Sequence, residues 1–134
     1  MSENNLVISV DAMGGDKSPR VVIEGLAIAN KKNPDLRFLV YGDEDAVYAE
    51  LNRFSQLKEV CEVRHAPERV RNEDKPSQVI RNKNTSMYMA IDAVRRGEAK
   101  AVISAGNTGA LMAISKMVLK TIQKIHRPAI VSIM

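Results

Sequence analysis

The 134-residue sequence contains no tryptophan, and only 4% of its residues are aromatic. Proteins that bind single-stranded nucleic acid stack the bases on aromatic side chains, so this composition argues against a nucleic-acid partner. A single cysteine, Cys61, excludes an internal disulfide and is typical of a reducing, cytoplasmic compartment. No apolar run approaches the roughly 20 residues that a membrane-spanning helix needs. The net charge of +4 favours an anionic or acidic partner without naming it.

Several common site motifs are also missing. A dinucleotide-binding fingerprint needs a third glycine after Gly14 and Gly15, but position 19 is proline. No glycine loop is followed by Gly-Lys-Ser/Thr, so a P-loop is excluded. The two histidines and Cys61 form no metal-ligand pattern. Cys61 lies within a predicted strand, and we interpret it as a core residue rather than a nucleophile.

One stretch is typical of a strand, a tight turn and a helix. Residues 101–105 form a short apolar run with two β-branched residues, which predicts a strand buried on both faces. A polar turn with a glycine at each end, residues 106–109, follows, and helical apolar spacing continues over residues 110–125. The free N–H groups and the dipole of such a helix start bind anions, most often phosphate. The alternative is a tight connection in which Thr108 caps the helix.

A second glycine loop follows a predicted first strand, Leu6–Val10. In this loop Asp11 and Asp16 flank the pair Gly14-Gly15. The two carboxylates suit a metal ion or acid–base chemistry. The alternative is that each carboxylate accepts backbone N–H bonds and fixes the loop.

The other elements are predicted from helical or alternating spacing between turn residues. The first is a helix capped by Ser18 that buries Val21, Val22, Leu26 and Ala29. It is followed by a strand over 36–41, a helix over 44–54 and a strand over 60–64. A long functional loop over 66–84, with a short helix after Pro76, leads to a helix over 85–96, and the last predicted element is a strand over 129–133. This alternation predicts an α/β fold with a mainly parallel sheet between two helix layers. Loops 11–18, 42–44 and 106–109 then share the carboxyl edge, where such sheets bind ligands.

Three lysines recur at a spacing of four along the last predicted helix: Lys116, Lys120 and Lys124. They form one basic face, opposite an apolar one. A face of this kind is either simply solvated or a docking surface for an acidic protein. The chain ends inside an apolar strand, so we expect it to be the N-terminal part of a single longer domain.

Taken together, these motifs resemble the bacterial phosphate acyltransferase family of fatty-acid and phospholipid synthesis. The resemblance covers the whole chain, except that Lys17 departs from the pattern and that family members are longer. The residues that carry it are Asp11-Ala12-Met13-Gly14-Gly15-Asp16, Lys75-Pro76-Ser77-Gln78 with Arg81, Asn84-Thr85-Ser86-Met87, the run from Ser104 to Met112, and Arg127-Pro128-Ala129.

The resemblance implies transfer of a fatty acyl group from acyl carrier protein to inorganic phosphate, which gives an acyl phosphate for a downstream membrane acyltransferase. It also implies a Rossmann-like three-layer α/β/α fold, similar to that of the isocitrate and isopropylmalate dehydrogenases. A homodimer, peripheral association with the membrane and no cofactor are further implications. We expect residues 1–134 alone to be inactive.

Phosphate is already a nucleophile, so the site only has to hold it beside the thioester and stabilise the oxyanion. Candidate catalytic residues are Asn107, Thr108 and Asp16. Candidates for binding phosphate or substrate are Asp11, Gly14, Gly15, Lys75, Arg81, Ser86, Gly106 and Gly109. The lysine face is the candidate docking surface for the acidic carrier protein.

Two other functions remain open at this point. One is an NAD-linked dehydrogenase domain, in which Asp43, at the end of the second predicted strand, holds the nucleotide ribose. The structural alternative for Asp43 is an N-cap of the next helix. The other function is a non-catalytic module that binds an anion or an acidic protein.

Overall fold

The computed structural model describes residues 5–120. In this range the chain forms four strands and six helices, in the order β1 (Val7–Asp11), α1 (Arg20–Lys32), β2 (Arg37–Gly42), α2 (Glu44–Leu51), α3 (Ser55–Glu59), β3 (Cys61–His65), α4 (Pro76–Val79), α5 (Ser86–Arg95), β4 (Ala101–Ser104) and α6 (Thr108–Leu119). The strands form one sheet in the order β3-β2-β1-β4, and every neighbouring pair is parallel. The predicted α/β class with a parallel sheet is confirmed.

The helices cover the two faces of the sheet in separate layers. Along β2, Phe38 and Val40 pack with α1, α2 and α3, whereas Leu39 and Tyr41 pack with α5. Successive side chains of a strand point to opposite faces, so an unbroken apolar run suits a strand that is covered on both sides. Helix α6 packs beside α5 on that second face. The result is the predicted α/β/α arrangement.

The prediction that strand 101–105 is buried on both faces is wrong. The side chain of Ile103 is 45% exposed, and Ala101 on the same face is exposed as well. Within the described residues β4 lies at one edge of the sheet, and its face on the side of α1 has no helix above it. The other face of β4 packs against α5 and α6 through Val102.

The expectation that Ser18 caps α1 is also wrong. The helix begins at Arg20 with Pro19 at its N-cap position, so Ser18 is not the cap. Instead, the Ser18 hydroxyl donates to the carbonyl oxygens of Gly14 and Gly15, inside the first glycine loop.

The helical faces also differ in detail from the predicted ones. Ile23 and Leu26 form the buried face of α1, which leaves Val21 51% exposed at the rim of the sheet. The helix predicted over 44–54 is α2, which ends at Leu51, and the short helix α3 that follows was not predicted. Only Leu57 of α3 is buried, so its five residues carry too little periodicity to be recognised in the sequence.

The predicted helix starts at Asp43 and Thr85 are confirmed. Asp43 Oδ2 accepts from the N–H of Ala46 at 3.0 Å, and Thr85 Oγ1 accepts from the N–H of Tyr88 at 3.1 Å. The Asp43 carboxylate is therefore engaged in capping α2, which argues against its binding a ribose. No helix within residues 5–120 is long and apolar enough to cross a membrane.

The last part of the chain lies outside the described residues. Helix α6 ends at Leu119, and Lys120 follows with a φ of 65°. The predicted continuation of this helix to residue 125, Lys124 and the strand predicted over 129–133 fall beyond that point.

The thiol of Cys61 should react slowly in the folded protein. Cys61 packs against the apolar core, and burial raises the pKa of its thiol to about 12. Because only the thiolate reacts, labelling by a disulfide reagent at pH 8 should be many-fold slower than in the urea-unfolded chain. The buried thiol's contribution to stability should be present below the unfolded-state pKa of about 8.5 and be lost as the pH rises through about 12. Equal labelling rates in the two states would contradict this assignment.

Candidate active site

The loops after β1 and β4 pack directly against each other at the carboxyl edge of the sheet. A Cβ atom at Gly14 would lie only 2.7 Å from the Ser104 hydroxyl oxygen and 2.8 Å from the backbone nitrogen of Gly106. A Cβ atom at Gly106 would lie 3.0 Å from the Cα of Gly14. Glycine is therefore required at both positions for the two backbones to approach so closely. The predicted convergence of the two glycine loops is confirmed.

A buried carboxylate lies beneath these loops. Asp11 is 1% exposed, and its Oδ1 accepts hydrogen bonds from the Ser86 hydroxyl at 2.6 Å and from the N–H of Met13 at 3.1 Å. Its Oδ2 accepts from the Ser104 hydroxyl at 2.8 Å. Asp11 thus joins the end of β1 to the start of α5 and the end of β4. The loop-fixing interpretation of this residue is the one that the structure favours.

The same network accounts for Ser86 and adds a residue that the sequence analysis missed. Ser86 is fully buried, and its hydroxyl donates to Asp11, so it supports the loops from below. The Ser104 hydroxyl donates to Asp11 and also accepts from the N–H of Gly106 at 3.2 Å. The sequence feature that could have identified Ser104 is its position as a polar residue at the end of an apolar strand, directly before the glycine turn.

An open polar pocket of about 300 Å³ lies beside the first glycine loop. Its walls are Gly15 and Asp16 on one side and residues 69–73, from the long loop after β3, on the other. Asp16 is exposed, and its Oδ1 accepts from the side-chain amide of Asn72 at 2.7 Å. Arg69 and Arg71 contribute two positive charges to the lining, and Asp16 and Glu73 contribute two negative ones. These arginines were not among the candidates, although the sequence analysis identified the loop as a functional one.

Asn107 connects this loop to the start of α6. Its Oδ1 accepts from the N–H of Ala110 at 3.0 Å, so Asn107, and not Thr108, is the N-cap. Its amide nitrogen donates to the carbonyl oxygens of Asp74 at 2.7 Å and Arg71 at 3.1 Å. Asn107 therefore positions one wall of the polar pocket against the helix. The exposed residue Thr108 begins the first turn of α6, whose N–H groups have no acceptor within the helix itself.

The two basic candidates lie in different places. A Cβ atom at Gly109 would be 3.3 Å from the ring of Pro76, so Lys75, just before Pro76, lies near the start of α6. Arg81 instead lines a separate groove beside Met117, in the last turns of α6. Lys75 is thus brought to the glycine loops, and Arg81 is not.

The two carboxylates of the first loop are not a matched pair. Asp11 is buried with both oxygens hydrogen-bonded, whereas Asp16 is exposed and faces Asn72. Among residues 5–120, no group of three or more histidine, cysteine, aspartate or glutamate side chains is arranged to hold a metal ion.

The lysine face of α6 is solvent-exposed as far as the structure describes it. Lys116 and Lys120 are exposed, and Ile114, on another side of the helix, is buried against α5. Of the predicted basic face, only Lys116 lies within α6, because the helix ends at Leu119 and Lys120 is its C-cap residue.

A family model described as "Fatty acid synthesis protein" matches residues 6–134 of the chain. The chain belongs to the fatty acid synthesis protein family. Curated relatives named phosphate acyltransferase are similar along nearly all of it. The protein from Granulibacter bethesdensis is 48% identical over 133 residues, 99% of this chain, and the one from Rhodospirillum rubrum is 47% identical over 132 residues, 98% of this chain. The Caulobacter vibrioides protein is 50% identical over 129 residues, 96% of this chain.

These relatives of the chain are considerably longer than the chain itself. The aligned part covers 36% of the Granulibacter protein, 38% of the Rhodospirillum protein and 36% of the Caulobacter protein. The chain therefore spans a little over a third of the curated relatives' length, and the glycine loops described above lie within that shared part.

The contact between the glycine loops can be tested with two matched substitutions. Gly14→Ala should lower the free energy of unfolding by about 1–3 kcal/mol, because its methyl group would overlap Ser104 and Gly106. Gly25→Ala, inside α1 with no atom within 4 Å of the added carbon, should instead raise that free energy by about 0.5–1 kcal/mol. Urea unfolding of both variants measures the difference. Equal effects of the two substitutions would show that the loops do not touch.

Proposed function

We propose that a protein of family length carrying this chain transfers a fatty acyl group from acyl carrier protein to inorganic phosphate. The observation that carries the proposal is the meeting of the two glycine loops beside the exposed start of α6 and a pocket with two arginines. The relatives named phosphate acyltransferase support the same reaction. Because the chain covers a little over a third of the length of those proteins, we propose that it supplies one part of the active site.

Several groups on this edge of the sheet are suited to an anion. The first N–H groups of α6, at Thr108 and Gly109, point away from the helix and carry the positive end of its dipole. Lys75 lies close to the same helix start, and Arg69 and Arg71 line the polar pocket. Asp16 and Glu73 offset the two arginines within the pocket, so the start of α6 and Lys75 are the groups that suit a phosphate ion better than a neutral ligand.

The chemistry needs few special groups. A phosphate oxygen attacks the thioester carbonyl carbon, a C–O bond forms, the C–S bond breaks, and the carrier thiolate leaves and takes up a proton. A backbone N–H group of the second glycine loop that does not hold the phosphate would stabilise the negative charge that develops on the carbonyl oxygen. Asp16 is the exposed carboxylate at the pocket and the candidate to exchange that proton. No cofactor is required for this balance.

The assembly around the reaction is also part of the proposal. Acyl carrier protein is acidic, and the exposed lysine face of α6 would attract it. The acyl phosphate has an apolar chain, which suits a homodimer that associates peripherally with the membrane and delivers its product to a membrane acyltransferase there. We propose that this activity requires more of the polypeptide than residues 1–134.

The direct test is an assay of acyl phosphate, trapped with hydroxylamine, on a protein of family length with acyl-acyl carrier protein and phosphate. Phosphate-dependent hydroxamate formation would support the proposal. Its absence would leave a non-catalytic anion-binding module, and saturable NADH binding in a fluorescence titration would instead favour a dehydrogenase domain.

Asn107→Ala should leave the fold intact and remove most acyl-phosphate formation. The substitution removes the cap of α6, at a cost of about 0.5–2 kcal/mol, and releases the carbonyls of Arg71 and Asp74. Asn107→Ser keeps a capping oxygen but has no amide for the loop, so it should be nearly as inactive and more stable. Asp43→Ala, which removes the cap of α2, is the matched control and should keep its turnover. Full turnover by both Asn107 variants would exclude this residue from the mechanism.

Reversing the charge of Lys116 and Lys120 should raise the apparent KM for acyl carrier protein several-fold and weaken its dependence on salt. Both residues are exposed, so the substitutions to glutamate should leave the fold unchanged. The control carries the same charge change at Lys32 and Lys100, which are exposed and lie outside α6, at the end of α1 and directly before β4. If both double variants shift KM equally, the effect is one of net charge and the docking surface is not on α6.

A further inference from the structure

Ser104 is the last residue of β4, and its hydroxyl makes hydrogen bonds to two groups of different chemistry. Its oxygen lies 2.8 Å from Asp11 Oδ2 and 3.2 Å from the backbone nitrogen of Gly106. A backbone nitrogen can only donate, so the serine oxygen accepts there, and the single hydroxyl proton is left for the carboxylate. The direction of both bonds is therefore fixed by the chemistry of the three groups.

The Asp11 carboxylate makes the Ser104 hydroxyl a better acceptor. A hydroxyl that donates to a carboxylate is polarised, and the next bond in such a chain is strengthened. Asp11 is held from its other side by the Ser86 hydroxyl and by the N–H of Met13. The chain of bonds from the Gly106 N–H through Ser104 to Asp11 thus ties the second glycine loop to the buried end of β1.

The bond to Ser104 takes the N–H of Gly106 out of the set that can hold a reactant. The next N–H groups along the chain, at Asn107, Thr108 and Gly109, have no acceptor among the described residues. These three groups follow directly on a residue whose own N–H is fixed. The position of the Gly106 peptide therefore sets the direction in which the three donors leave the sheet.

We propose that Ser104 is a positioning residue for phosphate in the acyl transfer reaction. It acts through Gly106, whose N–H it holds, and so sets where the N–H groups that follow meet the phosphate oxygens. The inference rests on the proposed function and assigns a role to a residue that touches neither reactant. It predicts that loss of the Ser104 hydroxyl weakens phosphate binding and leaves the binding of acyl carrier protein unchanged.

Ser104→Ala in a protein of family length removes the acceptor of the Gly106 N–H. The KM for phosphate should rise about tenfold, the order of one lost hydrogen bond, and the KM for acyl-acyl carrier protein should stay the same. The dissociation constant for inorganic phosphate, measured by calorimetry without the acyl substrate, should rise by the same factor. A loss of folded protein alone would lower the turnover number and leave both KM values unchanged.

Ser9→Ala is the matched control, because it also removes a serine hydroxyl from the sheet. Ser9 is fully buried in β1, and its hydroxyl donates to the carbonyl oxygen of Ala90 at 2.7 Å, outside the Asp11 network. This variant should be less stable in urea unfolding but keep the parent's KM and dissociation constant for phosphate. Ser104→Cys keeps a side chain of similar shape with a weaker donor and acceptor, so it should give intermediate constants and replaces Ser104→Ala if that variant does not fold.

The two phosphate measurements separate this inference from the reaction itself. Weaker phosphate binding in the Ser104 variants but not in Ser9→Ala would support the positioning role. Unchanged phosphate constants in the Ser104 variants, or an equal rise in Ser9→Ala, would overturn it while leaving acyl-phosphate formation intact. If the parent protein forms no acyl phosphate, the proposed function fails, and the calorimetric titration still decides whether Ser104 positions a phosphate-binding loop; a parent that binds no phosphate would overturn the inference as well.

Discussion

The hydrogen bonds of the Asp11 carboxylate hold the candidate site together. Asp11 lies at the end of the β1 strand, and its partners Ser86 and Ser104 come from the start of a helix and the end of another strand. Burying a carboxylate is costly unless its oxygens are hydrogen-bonded, and charge-assisted bonds of this kind are the stronger ones. Within the described part of the chain, every buried side-chain polar atom has a partner. The network therefore offsets the cost of burial and fixes three elements relative to one another.

The rest of the site follows from this anchored base. With β1 and β4 fixed side by side, Gly14 and Gly106 bring their backbones into contact, and the helix start at Asn107 faces outward. Asn107 then holds the loop that carries Arg69 and Arg71. Buried groups fix the backbone, and exposed groups line the pocket; this division suits a site that must position an anion without rearrangement.

Much of the fold and part of the site are predictable from the sequence. Alternating strand and helix patterns gave the parallel sheet, and the rule that parallel strands share a carboxyl edge gave the meeting of the glycine loops. The partners of Asp11 were not predictable, because they depend on β1 lying beside β4. The exposure of Ile103 also depends on strand order, which an apolar run does not encode. Asn107 and Thr108 are adjacent candidates for one cap, and only the backbone geometry distinguishes them.

The position of β1 also has a consequence for biosynthesis. The bond between Asp11 and Ser104 joins residues 93 positions apart, and the bond to Ser86 spans 75 positions. A ribosome releases β1 first, yet the strand pairs on one side with a segment that emerges near the end of this chain. Forming contacts between such distant residues has a large cost in loop-closure entropy, so this pairing forms slowly. The nascent β1 strand can pair early with β2, but its other edge stays open until β4 emerges, and this open edge is what a chaperone would have most reason to shield.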